Sequence, residues 1–208
     1  MILRCVTGGP LETNCYIVGC DETFEALVID PGLTETECKE VLRKISKLNL
    51  QIKYIVNTHG HPDHILLNGM IKDLTGAKVL VHEEDAHLLK EPWTFPFEIG
   101  QVQPVEPDGL LRDGDIIKIG ILEFTVIHTP GHTKGSVSLY CESENVVFTG
   151  DTLFYGSIGR TDLPGGSIKD IKASLRDKIM KLPDRTIVYP GHGAKTTVSR
   201  EKRFNPFL

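Results

Sequence analysis

Four times in this chain an apolar, β-branched run ends in a histidine or an aspartate. IKYIVNTH (52–59) opens Thr58-His59-Gly60-His61-Pro62-Asp63-His64, and LEFTVIHTPG (122–131) runs into His132. NVVFTGD (145–151) ends on Asp151, and RTIVYPGHG (185–193) carries His192. Runs of this kind, bounded by Gly, Pro and Asp, predict strands. Polar residues at strand ends work together only when the strands finish on one edge of a sheet, so these four motifs constrain the fold more than any other feature. His59 and His61 alternate at such an end, which lets both rings point to the same side.

The remaining pattern supplies the scaffold for that edge. ILRCV (2–6), NCYIVG (14–19), FEALVID (24–30), AKVLVH (77–82), DIIKIG (115–120) and SVSLYC (136–141) read as further strands. TETECKEVLRKISKLNL (34–50) places Val41, Leu42, Ile45 and Leu48 at helical spacing, with Thr34 and Glu37 three apart as a capping box. A helix is predicted from Ile65 to Leu74, closed by Gly76, and another over IKDIKASLRDKIMKL (168–182). Residues 90–114, with Pro92, Pro96, Pro104 and Pro107, read as a long loop, a lid or a packing surface. RFNPFL (203–208) reads as the end of a short polar tail. Two strand-rich halves with helices between and after them fit a sheet-on-sheet sandwich covered by helices, in one α/β domain over 1–208.

Composition excludes several function classes. With 40% hydrophobic and 25% charged residues the chain is not a disordered one. A net charge of −5 argues against a nucleic-acid partner. No apolar run approaches the ~20 residues of a membrane helix, and MILRCVTGGP does not read as a secretory signal. The expectation is a cytoplasmic protein with a small-molecule substrate. Cys5, Cys15, Cys20, Cys38 and Cys141 are odd in number, irregularly spaced and without a CxxC, as reduced thiols would be.

His59, His61, Asp63, His64, His132, Asp151 and His192 bring together imidazoles and carboxylates in a number that suits two divalent ions. Nitrogen and oxygen donors without thiolate suit zinc, with iron or manganese compatible. The pattern is not a helical HExxH, and no cysteine lies near enough for a zinc finger. The expected division sets His59, His61 and His132 on one ion and Asp63, His64 and His192 on the other, with Asp151 bridging. Two ions about 3.5–4 Å apart share a water, lower its pKa toward neutrality and clamp a substrate oxygen. Any one of these histidines alone would read as an ordinary surface or core residue. His82, His87 and His128 are so read, His128 with a place in the core or beside the ligand His132.

Thr58-His59-Gly60-His61-Pro62-Asp63-His64, with Pro130-Gly131-His132, Gly150-Asp151 and Gly191-His192, resembles the metallo-β-lactamase superfamily, in order across almost the whole chain. The resemblance implies a four-layer αββα sandwich with a dinuclear site at one edge, and the same ligand division. IDPG (29–32), TGDTLF (149–154), GRTDLPGG (159–166) and NPFL (205–208) are similar to the glyoxalase II group, the hydroxyacylglutathione hydrolases, especially their short single-domain bacterial members. The complete HxHxDH argues against typical β-lactamases, which usually lack the last His, and against flavodiiron proteins, where a Glu replaces the second.

The implied activity is hydrolysis of a small thioester such as S-lactoylglutathione by a hydroxide shared between the ions, with Asp63 and Asp151 at the reacting centre. Arg160 is the candidate for holding a substrate carboxylate. Lys134 and Lys195 would add positive potential, and Tyr155 would line the pocket. GRTD also resembles persulfide dioxygenases, which would bind one iron through His59, His132 and Asp151. Lactonases and phosphodiesterases are further alternatives. The chain departs from the glyoxalase II pattern in three places. Leu67 stands where DHxxGN has its glycine, Gly193-Ala194-Lys195 lacks the usual Tyr, and the sequence ends at Leu208, where longer members continue into a glutathione-binding helical segment.

Overall fold

The computed structural model describes residues 1–93 and 102–208. The first half runs β1 (Ile2–Gly8), β2 (Thr13–Gly19), β3 (Glu25–Ile29), α1 (Glu35–Lys47), β4 (Gln51–Val56), α2 (Pro62–Ile65), α3 (Asn68–Thr75), β5 (Lys78–His82), α4 (Ala86–Lys90) and β6 (Gly109–Leu111). The second runs β7 (Ile116–Ile119), β8 (Leu122–His128), β9 (Val137–Cys141), β10 (Val146–Gly150), β11 (Leu153–Phe154), β12 (Ser157–Ile158), α5 (Ile168–Asp177), β13 (Ile187–Pro190), β14 (Thr196–Thr197) and α6 (Val198–Phe204). Two sheets of six strands form, in the orders β1-β2-β3-β4-β5-β6 and β14-β13-β10-β9-β8-β7, beside the small hairpin β11-β12.

Side-chain alternation shows why these sheets stack. In β2, Tyr16 and Val18 enter one apolar cluster while Ile17 enters another. In β10, Val146 and Phe148 face the first of these clusters and Val147 a third. Strands alternate their faces with period two, so each sheet has an apolar side against the other sheet and an apolar side against helices. The middle cluster joins the sheets through Leu27, Ile29, Phe124 and Phe148. The first outer cluster seats Val41 and Ile45 of α1 and Ile71 of α3, and the second seats Ile171 and Leu175 of α5 and Val198 of α6. Three apolar layers separate four structural ones, the αββα sandwich.

The capping box forms as predicted: Thr34 Oγ1 accepts from Glu37 N at 3.4 Å and Glu37 Oε2 accepts from Thr34 N at 2.8 Å. The same carboxylate accepts from Gly9 N at 2.9 Å, which ties the β1–β2 turn to α1. The helix expected over 65–74 is instead two. Pro62 opens α2 within the histidine motif, as Pro suits a first helical turn, and Leu67 N turns to Pro31 O at 2.9 Å before α3 begins. Gly76 closes α3 in the left-handed conformation. The helix expected over 168–182 ends at Asp177 and continues as a 3-10 turn, Ile179–Lys181. The segment leading into the tail is α6, which starts on a Thr197 side chain accepting from Arg200 N. Of the loop predicted over 90–114, residues 94–101 lie outside the described residues, and Gly109–Leu111 pairs with β5 as β6. No helix among the described residues is long and apolar enough to cross a membrane.

Candidate metal centre

Strand direction assembles the edge. β8 and β10 are each antiparallel to β9, and β13 is parallel to β10, so β8, β10 and β13 run one way and end together. Their C-terminal ends lead to His132, Asp151 and His192. In the first sheet the parallel strands β3 and β4 bring Asp30 and the 58–64 segment to one end. Backbone bonds join the two edges: Val137 N donates to Thr58 O at 2.8 Å and Asn14 N to Gly191 O at 2.7 Å. At Gly191 a Cβ would collide with Asp151 Oδ1 and lie 2.8 Å from His64 Cε1, so only glycine lets this turn approach.

All seven predicted donors meet here, six of them in two groups of three. The donor atoms of His59, His61 and His132 lie within 4.8 Å of one another, and those of Asp63, His64 and His192 do the same. His61 Nδ1 is 2.8 Å from His132 Nε2, and His64 Nε2 is 3.2 Å from His192 Nε2. Asp63 Oδ2 is 3.4 Å from His64 Nε2 and 3.3 Å from His192 Nε2. Asp151 stands between the groups. Its Oδ2 is 3.5 Å from both His132 Nε2 and His192 Nε2, and its Oδ1 is 3.4 Å from His64 Nε2. Four ligands held tetrahedrally at ~2.0–2.1 Å from an ion sit about 3.3–3.4 Å apart, close to most of these spacings.

Hydrogen bonding outside the groups turns bare nitrogens inward. His132 Nδ1 donates to Arg160 O at 2.8 Å and His192 Nδ1 to Leu11 O at 3.0 Å. His64 Nδ1 donates to Asp30 Oδ2 at 3.0 Å. Thr58 Oγ1 gives its proton to Asp30 Oδ2 at 2.6 Å, so it accepts from His59 Nδ1 at 3.1 Å. These partners hold each Nδ1–H outward and aim each Nε2 at the donor groups, the arrangement metal-bound histidines show. His59 Nε2 and Asp151 Oδ1 are buried with no hydrogen-bond partner, a cost that a cation removes. The residues present therefore fit a dinuclear metal site. Asp30, His59 and His64 also form a close group, but Asp30 is occupied by Thr58 N at 2.7 Å, Thr58 Oγ1 and His64, and so orients donors.

The electrostatics agree. Burial and the neighbouring histidines hold His59 well below its usual value, and burial with His132 takes His61 down to about 3, so both rings stay unprotonated. Burial presses His64 the same way, but Asp151, Asp63 and Asp30 outweigh it and raise the ring to about 10. Asp63 resists burial through His64 and His192 and stays below the carboxylate range. Negative charge is thus gathered around the Asp63 group, where positive charge is favoured.

The substrate-side predictions fall around this core. Arg160 is exposed, and its guanidinium makes a bidentate pair with Asp162 at 2.8 and 2.7 Å, while its charge is felt at His61. Tyr155 is exposed, with the Arg200 guanidinium 3.5 Å over its ring, and its neighbour Phe154 lies 6.1 Å from His192. Lys134 is exposed and borders a cavity of about 160 Å³ shared with Leu88, Trp93 and Pro164. Lys195 is exposed. His82 and His128 stack on each other at 4.1 Å, outside both donor groups. Sequence reasoning missed three residues. Asp30, after β3, and Asp85, after β5, are buried carboxylates bonded to the motif loops, and Trp93 sets its ring 5.2 Å from His61. The only signal for Trp93 was that the chain has one tryptophan.

Known proteins place this geometry. The Metallo-beta-lactamase superfamily pattern matches residues 8–192. The hydroxyacylglutathione hydrolase GloC of Haemophilus influenzae is 36% identical over 203 residues, covering 95% of this chain and 93% of GloC. Among solved structures, the B3 metallo-beta-lactamase BLEG-1 is 38% identical with a TM-score of 0.90, covering 100% of this chain and 99% of its own. ETHE1 from Myxococcus xanthus is 32% identical with a TM-score of 0.84, covering 99% and 84%. TTHA1623 in a di-iron-bound form is 36% identical with a TM-score of 0.81, covering 99% and 100%. With its αββα sandwich and paired histidine–aspartate groups, the chain belongs to the metallo-β-lactamase superfamily of metal-dependent enzymes.

Proposed function

We propose that this protein hydrolyses a small thioester of the hydroxyacylglutathione type at a site holding two divalent ions. The observation that carries the reading is Asp151, whose two oxygens face both donor groups at 3.4–3.5 Å, as a bridging ligand does. The likeness to GloC supports the substrate class. His59, His61 and His132 would hold one ion and Asp63, His64 and His192 the other. Zinc suits the donors, and iron is compatible, as in the di-iron form of TTHA1623. Bound there, the ions would acidify a shared water and polarise the thioester carbonyl.

The chain's own residues do the rest. Asp30, Arg160 O and Leu11 O hold the imidazoles of His64, His132 and His192 in one orientation, so the rings need no reorganisation. A thiol of pKa near ~8.5 leaves as thiolate without a protein acid, which suits a site whose carboxylates are engaged as donors. Arg160 and Lys134 are the cations for a carboxylate on the substrate, and Phe154 and Tyr155 flank the His192 side.

The test is turnover of S-lactoylglutathione by zinc-loaded protein, followed by loss of thioester absorbance. Asp151→Ala should lose most bound metal and all activity. No turnover by fully loaded protein would refute the reading. A second reading, persulfide dioxygenation, draws on the likeness to ETHE1, and dioxygen uptake with glutathione persulfide would select it. Opening of a cephalosporin would select the activity named for BLEG-1.

A further inference from the structure

Asp85 is buried at the end of the 3-10 turn Glu83–Asp85 that follows β5, outside the donor set. Its Oδ2 accepts from Gly60 N at 3.0 Å and from Thr133 Oγ1 at 2.7 Å, and its Oδ1 accepts from Gly135 N at 2.8 Å. Among the described residues these hydrogen-bond partners are all neutral donors. Gly60 separates His59 from His61, and Thr133 follows His132 directly. One carboxylate therefore pins together the two loops that carry the three-histidine group. It also accounts for a glycine in the second loop, since a Cβ at Gly135 would sit 2.6 Å from the Asp85 carboxylate.

A lone buried carboxylate is costly unless its charge is used. The Asp63 group has Asp63 itself and a direct bond from His64 to Asp30, whereas the histidine group contains no carboxylate of its own, shares Asp151 and reaches Asp30 only through Thr58. We propose that Asp85 is the positioning residue of the His59/His61/His132 half of the centre, holding its two loops in register and supplying its countercharge. The inference rests on the dinuclear site and not on the identity of the substrate. It predicts asymmetry: loss of the charge weakens one ion and spares the other. Asparagine at this position keeps one acceptor and turns an amide donor toward one of three donors, so D85N is the direct probe.

The experiment titrates zinc into metal-free parent and D85N against a competing chelator, and repeats the titration with cobalt(II), whose absorption bands report each ion's ligand environment. The parent is expected to take two ions. In D85N one ion should bind about ten- to a hundredfold more weakly, with its cobalt bands altered and the other ion's unchanged. Equal weakening of both ions would reduce Asp85 to general stability and overturn the proposal, as would unchanged binding of both. If D85N fails to fold, T133V removes one donor and keeps the charge. It should weaken the same ion by about two- to tenfold, and unchanged binding overturns the proposal. Should the parent hold a single ion, the dinuclear reading falls, and Asp85 then stands or falls on whether D85N weakens that ion.

Discussion

Replacing Asp30 tests whether the donor groups are held from outside. Asp30 is buried, and its two oxygens take three hydrogen bonds: Thr58 N at 2.7 Å, Thr58 Oγ1 at 2.6 Å and His64 Nδ1 at 3.0 Å. Bonds to a charged group contribute about 1.5–3 kcal/mol each. Three at the low end give about 4.5 kcal/mol, in line with the ~3–5 kcal/mol lost when one partner of a buried pair is removed. Asp30 also sits at φ 49, where alanine costs about 1 kcal/mol more than aspartate or asparagine. Asp30→Ala should therefore cost about 4–6 kcal/mol. At about 2–4 °C per kcal/mol for a chain of this length, that is a fall of roughly 8–24 °C in Tm. The assay is thermal unfolding at pH 7 by circular dichroism in excess chelator, so that metal loss is not part of the signal. Asp30→Asn tolerates the backbone and keeps one oxygen, and should fall about half as far. An Asp30→Ala protein melting within about 3 °C of the parent would refute the reasoning.

Metal-free protein should be most stable near neutral pH. His64, raised to about 10, contributes stability that is complete below the usual histidine value and is lost as pH rises through about 10. His61, lowered to about 3, contributes stability present above the usual value and lost as pH falls toward 3. Denaturant melts from pH 4 to 10 check both limbs, and loading with zinc should flatten the alkaline limb. Arg160→Ala should raise KM several-fold for a carboxylate-bearing thioester with kcat unchanged, while an unchanged KM would confine Arg160 to its pair with Asp162. Because Trp93 is the one tryptophan and lies 5.2 Å from His61, zinc titration should change the intrinsic fluorescence. A flat titration with binding confirmed by metal analysis would detach Trp93 from the site.

The donors were legible because each is a polar residue at the end of an apolar run, and strand ends converge. The residues that hold those donors were not. Asp30 answers to Thr58 and His64, and Asp85 to Gly60, Thr133 and Gly135, partners 25 to 50 positions away for which no local spacing gives a sign. A single aspartate after a strand is ordinary in any sequence. Helix α6 was missed for a related reason. Its seven residues read as a charged string, VSREKRF, yet Glu201 is buried and accepts from Thr196 Oγ1 and Asn205 Nδ2 at either end of the helix and from Gly156 N across the fold. The break in the 65–74 helix is likewise set by Pro31 O, which claims the amide of Leu67.

This division of labour also explains why one fold accommodates neighbours as different as a hydroxyacylglutathione hydrolase and a B3 β-lactamase. The donor edge is fixed by strand direction and by partners, Asp30, Arg160 O and Leu11 O, that bond the Nδ1 side of the rings, away from the donor nitrogens. Trp93, Lys134, Phe154 and the Arg160 guanidinium lie on loops or a short hairpin around it, and none of these side chains anchors a donor ring. Substituting them should alter what docks without disturbing what holds metal. Substituting Asp30 should do the reverse, since it is buried and reaches His64 directly and His59 through Thr58. Substrate class should therefore follow the loops, and metal affinity the buried carboxylates.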